Sequence, residues 1–467
     1  MVTRRGFLAG GSAAIIAGAA PRIAWGRTEA DVAIIGAGLA GLHAASLLEA
    51  AGLRIVLLEA ENRIGGRLHT LDDLPGKPDA GGIQVGSGYR RLHEIADRLG
   101  VERVTGDGAG AGRVQVPGNL YHVNSETVAS SGWSQGAGNR LPEAKRDIEP
   151  ASLLRSYFRN LPQFRHPADW LSATKADDVS VEQMLRTAGA SSEEIRLIGA
   201  NLNGNSLAEM SQIHLARTLA IFRAGAGPIS TIKGGSQRLP EAMANALSVE
   251  ARLATPVSAI AEDASGVTLR LSDHTVRARH VLCTMPFSAL RTIPMQARLP
   301  DYLARMIVSL PYTRASFAYI AARQPFWRDD GLPETLWTDD PLIGRVFVLG
   351  DDPAMLKLWT TGAGSDMLDR MPTDVANGSI VERIERMRPS ARGQIEVVRH
   401  YSWQKSPYAR GIYHHIGTGM ARALAGTTQL RLRRLHFAGE HLAVASSGME
   451  GALESGESAA RHIIANL

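Results

Sequence analysis

A strand, a glycine-rich turn and a helix follow one another near the start of this chain and constrain its fold more than any other feature. Asp31 to Ile35 is a short β-branched and apolar run, and residues 36–41 read Gly-Ala-Gly-Leu-Ala-Gly before a helical pattern. Glycines at this spacing permit a tight turn, close approach of the backbone to a pyrophosphate, and close packing of helix on strand. The N–H groups and dipole of the helix attract the diphosphate. The pattern predicts an α/β fold with a cofactor-binding turn made of Gly36, Ala37, Gly38, Leu39, Ala40 and Gly41.

A second apolar run, residues 53–58, ends at Glu59, which stands 18 positions after Gly41. At the end of the second strand of a βαβ unit, a carboxylate can accept hydrogen bonds from both ribose hydroxyls of an adenosine and repels a 2′-phosphate. The alternative is a solvent-facing glutamate that merely ends a strand. The register favours the ribose contact.

Composition limits the remaining possibilities. A chain of 467 residues that is 44% hydrophobic is too long for one ordinary core, so two domains are expected. A net charge of +5 is weak evidence for a nucleic-acid or membrane-surface partner, and none is predicted. The only cysteine, Cys283, excludes an internal disulfide and a cysteine-based metal site, and no histidine motif suggests a metal centre.

Residues 1–25 are expected to be a targeting segment and not part of the fold. Arg4-Arg5 followed by Phe7-Leu8 resembles the twin-arginine export signal, which carries folded proteins. The apolar stretch from Phe7 to Ala20 is shorter than the roughly 18 residues that a membrane span needs. A periplasmic or secreted protein without a stable membrane span is therefore expected.

The continuation after Glu59 makes a family resemblance specific. Glu59-Ala60-Glu61-Asn62-Arg63-Ile64-Gly65-Gly66-Arg67 resembles the second FAD motif of the flavin-containing amine oxidases (the monoamine, polyamine and L-amino-acid oxidase group), whose arginines offer forked donors to the diphosphate. Further similar blocks lie at 79–86, 233–240, 252–259, 437–440 and 448–456. The resemblance implies FAD contacts at Glu59, Arg67, Gly81, Gly82, Ile83, Val257, Gly439, Glu440 and Met449.

The resemblance is less complete around the substrate. Trp403 and Tyr413 match the family's aromatic wall, with core packing as the alternative. Ile412 stands where some members carry the cysteine that bonds to flavin, which favours noncovalent FAD. Phe317 stands where the family usually has a lysine that holds a water at flavin N5, so no amine is expected there. Tyr89 takes the slot where L-amino-acid oxidases place an arginine for the substrate carboxylate.

The predicted architecture is an α/β fold in which a GxGxxG Rossmann-like FAD domain (30–100, 225–290 and 396–467) is interleaved with a substrate domain of helices and sheet (101–224 and 291–395). The predicted reaction is oxidation of a small-molecule amine by hydride transfer to FAD, with oxygen or a cytochrome-type protein as electron acceptor. An L-amino-acid oxidase, a flavin desaturase or dehydrogenase, and a flavin-binding protein without turnover remain alternatives. Catalytic residues are not assigned, and the pocket candidates are Phe317, Trp403, Tyr413 and Tyr89.

Overall fold

The computed structural model describes residues 30–105 and 117–466. The predicted export segment, residues 1–25, lies outside the described residues.

The strands divide between two large sheets and two short antiparallel pairs, His69–Thr70 with Asp79–Gly81 and Arg103–Thr105 with Ser230–Ile232. In chain order they are β1 Ala30–Ile35, β2 Ile55–Leu58, β3 His69–Thr70, β4 Asp79–Gly81, β5 Arg103–Thr105, β6 Asn119–Val123, β7 Glu126–Ala129, β8 Ser230–Ile232, β9 Ala251–Arg252, β10 Ala259–Glu262, β11 Val267–Arg270, β12 Thr275–Cys283, β13 Met295–Gln296, β14 Ala315–Ala322, β15 Thr335–Thr338, β16 Arg345–Asp351, β17 Ala354–Thr361, β18 Ile395–Ser402 and β19 Leu435–Phe437.

The α-helices cover both sheets. They are α1 Leu39–Ala50, α2 Arg90–Arg98, α3 Val181–Thr187, α4 Ser192–Ala200, α5 Gln212–Ala224, α6 Arg238–Asn245, α7 Phe287–Leu290, α8 Asp301–Ser309, α9 Gly362–Arg370, α10 Thr373–Met387, α11 Ala421–Thr428 and α12 Gly448–Ala465. A longer 3₁₀ segment, Pro150–Asn160, precedes α3.

The first sheet is built around the predicted βαβ unit. Its order is β13-β10-β11-β12-β1-β2-β9, with β19 also paired to β12. The pairs β1 to β2 and β1 to β12 are parallel, which is the arrangement that a helix connection between strands imposes. β1 is buried along nearly its whole length because helices and strands cover both of its faces.

The second sheet has the order β18-β14-β17-β16-β15-β6-β7. Alternate residues of its central strands face opposite sides, as a pleated strand requires. Ala318, Ile320, Leu356 and Leu358 pack with Ile380 of α10 in one cluster. Phe317, Tyr319 and Trp359 belong to a separate cluster on the other side of the sheet. We call that side, which faces the first sheet, the aromatic face.

Strand pairing, and not local sequence pattern, sets several boundaries along the chain. Residues 251–260 contain two strands, β9 and β10, because Pro256 lacks the N–H that a ladder requires. The weakly patterned segment 101–138 contains β5, β6 and β7. β13 pairs with β10 in the first sheet, and β18 pairs with β14 in the second. A domain boundary at 290 therefore separates β13 from its own sheet, and one at 396 cuts β18.

Among residues 30–105 and 117–466, no helix combines the length and apolar character needed to cross a membrane.

Candidate active site

A single cavity of about 1490 Å³ lies between the two sheets and is lined by both. Pockets for drug-sized ligands usually have about 300–1,000 Å³, so this one has room for a dinucleotide together with a substrate. Apart from Ala37, Gly41 and Phe317, the residues predicted from the sequence line this cavity: Gly36, Gly38, Leu39, Ala40, Glu59, Arg67, Gly81, Gly82, Ile83, Tyr89, Val257, Trp403, Tyr413, Gly439, Glu440 and Met449.

The glycine turn has the geometry that its sequence predicts. Gly36 has φ +103°, a conformation that side chains other than glycine rarely adopt. A Cβ at Gly41 would lie 2.0 Å from the carbonyl oxygen of Gly36, so α1 packs closer to β1 than any other residue would permit. Gly41 therefore acts through packing and not by lining the cavity. The turn directs the N-terminus of α1 toward the cavity, where a diphosphate can bind its free N–H groups.

Glu59 is buried at the end of β2 and holds the glycine turn as well as lining the cavity. One carboxylate oxygen accepts a hydrogen bond from the N–H of Ala37 at 2.8 Å, and the other accepts from the N–H of Glu61 at 2.9 Å. Burial raises the pKa of Glu59, while these backbone N–H groups act against that rise. Each oxygen retains lone-pair capacity for a ribose hydroxyl. The sequence predicted the residue but missed its second role in fixing the turn.

The two arginines of the 59–67 segment have different surroundings. Arg63 donates to the carbonyl oxygens of Leu68 at 3.1 Å and Gly66 at 2.7 Å, and it pairs with Glu61. It therefore shapes its own loop and is not among the residues that line the cavity. Arg67 lines the cavity and can hold an anion there.

Glu440 joins three distant segments at the cavity wall. Its carboxylate lies 2.7 Å from Nδ1 of His414 and 3.3 Å from Nη1 of Arg67, which also donates to the carbonyl oxygen of Ile412. Burial alone would raise the pKa of Glu440, but the neighbouring His414 and Arg67 hold that pKa well below its usual range. The carboxylate therefore stays ionised in the interior.

The aromatic residues predicted for the substrate wall are brought together. Trp403 is buried and donates from Nε1 to the carbonyl oxygen of Ala80 at 2.9 Å. Its ring lies against Gly81, where an added Cβ would come within 2.9 Å of Trp403. Tyr413 and Tyr89 line the same cavity. Burial raises the pKa of both tyrosines, so both hydroxyls stay protonated.

The expectation that no amine lies at Phe317 is wrong. Lys357, on the strand paired with β14, places Nζ 4.2 Å from the centroid of the Phe317 ring. The same Nζ donates to the carbonyl oxygen of Asp79 at 2.7 Å, and Lys357 lines the cavity. Burial lowers the pKa of Lys357 to about 7, with the carboxylate of Asp79 opposing the shift.

Arg345 is a second cation that sequence analysis missed. It lies on β16 opposite Trp359 of β17, and its side chain reaches the cavity, where it donates to Oδ1 of Asn203 at 2.6 Å. Lys357 interrupts the apolar run Met355-Leu-Lys-Leu-Trp, and Arg345 begins the apolar run Arg345-Val-Phe-Val-Leu. A charge within such alternation is the signal that identifies them.

A dinucleotide-binding sheet and a second sheet that close one cavity define this chain as a nucleotide-cofactor enzyme. The family model for flavin containing amine oxidoreductases matches residues 39–464, and the chain belongs to this family. It is an FAD-dependent enzyme of the amine oxidase class.

Two relatives and one solved structure illustrate the likeness. The chain is 26% identical to the flavin-dependent L-tryptophan oxidase RebO of Lentzea aerocolonigenes, over 94% of this chain and 98% of that protein. It is 24% identical to the flavin-containing amine oxidase B of Homo sapiens, over 93% of this chain and 86% of that protein. Cyclohexylamine oxidase from Brevibacterium oxydans IH-35A superposes with a TM-score of 0.77 at 24% identity, covering 93% of this chain and 99% of that one. The predicted α/β fold is thereby confirmed.

Removing the carboxylate of Glu59 should weaken cofactor binding. Glu59→Ala leaves two buried N–H groups without acceptors and removes the ribose contact, so we expect FAD affinity to fall by about 1–3 kcal/mol. Flavin released into the supernatant by acid precipitation measures occupancy, with Glu94→Ala on the exposed face of α2 as the control. Unchanged occupancy would contradict the placement of the ribose, and flavin that stays with the pellet would contradict noncovalent binding.

Replacing Lys357 should stabilise the protein in a pH-dependent manner. Because its folded pKa of about 7 lies below the ordinary 10.5, the unfolded chain binds more protons between these values, and wild-type stability rises with pH across that window. Below about pH 7 the side chain is charged in the folded protein, so the full free-energy cost of the buried ammonium is present. We expect Lys357→Met to gain roughly 3 kcal/mol at about pH 6 and progressively less toward about pH 10. Tyr319 still donates to the Asp79 carbonyl oxygen.

Denaturant unfolding of the FAD-loaded protein at several pH values checks this prediction. Lys233→Met, at an exposed lysine paired with Glu102, is the control and should show no such trend. A loss of stability for Lys357→Met that is equal at every pH would contradict the buried-cation account.

Proposed function

We propose that this enzyme oxidises the C–N bond of a small primary or secondary amine with noncovalently bound FAD, and that oxygen takes the electrons from the reduced cofactor. When bound, FAD supplies the acceptor for a hydride equivalent from the carbon next to nitrogen. The observation that supports this proposal most strongly is the single cavity that runs from Glu59 and the glycine turn to the aromatic face.

The chain's own residues supply binding, orientation and exclusion of water. Glu59, the N-terminus of α1 and Arg67 would hold the ribose and diphosphate. Trp403 closes the cavity against the Gly81 loop, and Trp359 and Tyr413 offer aromatic surface on which the apolar part of an amine can be oriented. Lys357, with its pKa near 7, can hold or release a proton at neutral pH.

Two features support the finer points of the proposal. The Ile412 side chain offers no nucleophile to flavin, and the only cysteine, Cys283, is buried in β12, which favours noncovalent FAD. The Lys357 amine beside Phe317 provides a polar group that can hold a water in the cavity, which supports oxygen as the electron acceptor. Relatives named for amine and for L-tryptophan oxidation leave the substrate class open.

A panel of amines and amino acids added without oxygen tests the reaction. We expect at least one of them to bleach the flavin absorbance, and subsequent air to restore it with release of hydrogen peroxide. An alcohol with the same carbon skeleton as the active compound is the control and should leave the flavin oxidised. Bleaching without peroxide, relieved only by a cytochrome-type acceptor, would contradict the choice of oxygen. A flavin that no nitrogen compound bleaches would contradict the proposed reaction.

We also propose that the protein is exported in folded form, on the basis of Arg4-Arg5 and the apolar stretch that follows. Replacing both residues, Arg4→Lys with Arg5→Lys, should retain the FAD-loaded precursor in the cytoplasm. Fractionation of cells followed by flavin fluorescence of the precursor measures this, with Arg22→Lys as the matched control. Continued export of the double variant would show that the arginine pair is incidental.

A further inference from the structure

The most unusual group in the cavity is the guanidinium of Arg345. Its Cζ lies 5.7 Å from the ring centroid of Phe347 and 5.7 Å from that of Trp359, so it rests among aromatic surfaces. Its hydrogen-bond acceptor is the neutral Oδ1 of Asn203. Its Nε atom is buried without a hydrogen-bond partner. A buried, charged donor without an acceptor costs free energy unless a ligand supplies that acceptor.

Within the described parts of the chain, no aspartate or glutamate pairs with Arg345. Arg388 shows what a buried structural arginine looks like in this protein: its Nε lies 2.7 Å from Asp330, and both terminal nitrogens are also bonded. Buried charges are ordinarily paired in this way. Arg345 lacks such a carboxylate and lines the cavity in which a ligand can bind.

Lys357 adds a second positive group on the same face. In the pairing of β16 with β17, Arg345 is opposite Trp359 and Phe347 is opposite Lys357, so both cations project from the aromatic face. Lys357 also lacks an ion pair with a carboxylate in the described residues, since its Nζ binds the carbonyl oxygen of Asp79. Two cations among aromatic rings suit a ligand that is partly anionic and partly apolar.

Resting on the proposed function, we propose that the substrate is an α-amino acid with an apolar or aromatic side chain, and that Arg345 binds its carboxylate. The planar fork of a guanidinium matches the two oxygens of a carboxylate. The aromatic face would receive the side chain. Such an oxidation would break the C–H bond beside nitrogen and release a hydride equivalent, for which bound FAD would be the acceptor, together with a proton from nitrogen. Water would then hydrolyse the imino acid to a keto acid and ammonia. This position differs from the 86–90 segment, where Tyr89 occupies the slot predicted for a carboxylate-binding arginine.

The test compares amino acids with the amines that remain after removal of their carboxylate, such as phenylalanine with phenethylamine, across a panel of both enantiomers. The rate of flavin reduction without oxygen gives kcat/KM for each member of a pair. Titration with phenylacetate, followed by the flavin absorbance of the oxidised holoenzyme, gives a binding constant that does not depend on turnover. The variants are Arg345→Gln, Arg345→Lys and, as control, Arg399→Gln, an arginine of β18 that pairs with Asp73.

For the pair with the most reactive amino acid, we expect the wild-type kcat/KM to be about 100-fold or more higher for the amino acid than for its amine. Arg345→Gln should weaken phenylacetate binding and amino-acid kcat/KM by about 100-fold while leaving the amine unchanged or improved. Arg345→Lys should lower both quantities by about tenfold, because lysine keeps the positive charge but not the planar pair of donors. Arg399→Gln should match the wild type in each measurement.

Other outcomes separate this inference from the proposed function. Reduction by amines but by no amino acid would overturn the inference and leave amine oxidation standing. If Arg345→Gln lowered kcat/KM equally for the amino acid and its amine and left phenylacetate binding unchanged, Arg345 would have a structural role. That result would also overturn the inference. Reduction by neither class would overturn the proposed function itself.

Discussion

The ion pair between Glu440 and Arg67, with His414 on the other carboxylate oxygen, is the interaction on which the site depends. It connects the loop after β2, the segment after β18 and the turn after β19, which lie far apart in the chain. A buried carboxylate is stable only while its partners remain, since removal of one partner leaves an uncompensated charge. Arg67 also donates to the carbonyl oxygen of Ile412, and so fixes part of the cavity wall.

A second constraint is the conflict on the aromatic face between stability and ligand recognition. Lys357 and Arg345 would be replaced by apolar residues if the face served only as core, because each buried charge without a carboxylate partner costs free energy. On the opposite side of the same strands, Leu356 and Leu358 pack with Ile380 of α10. Such local departures from core composition are characteristic of functional sites.

Local sequence predicted those parts of the site whose geometry is decided by neighbouring residues. The glycine turn and the carboxylate of Glu59 belong to one βαβ unit, and their roles follow from backbone conformation over about 30 residues. The sequence predicted less about side chains whose contacts depend on the folded arrangement of the chain. Arg63 and Arg67 belong to one sequence motif, yet only the folded loop shows that Arg63 donates to the carbonyl oxygens of Leu68 and Gly66. Near residues 290 and 396, strand pairing, and not composition, assigns β13 and β18 to their sheets.

The sequence alone therefore determined the α/β class, the dinucleotide turn, the resemblance to an FAD family and the set of aromatic residues near the substrate. Only the tertiary structure decided which side chains of other strands lie next to these residues. Phe317 occupies the register of an expected lysine, but strand β17 supplies an amine from next to it. The physical reason is that a cavity lined by a sheet is assembled from side chains on separate strands, whose lateral neighbours are set by long-range pairing.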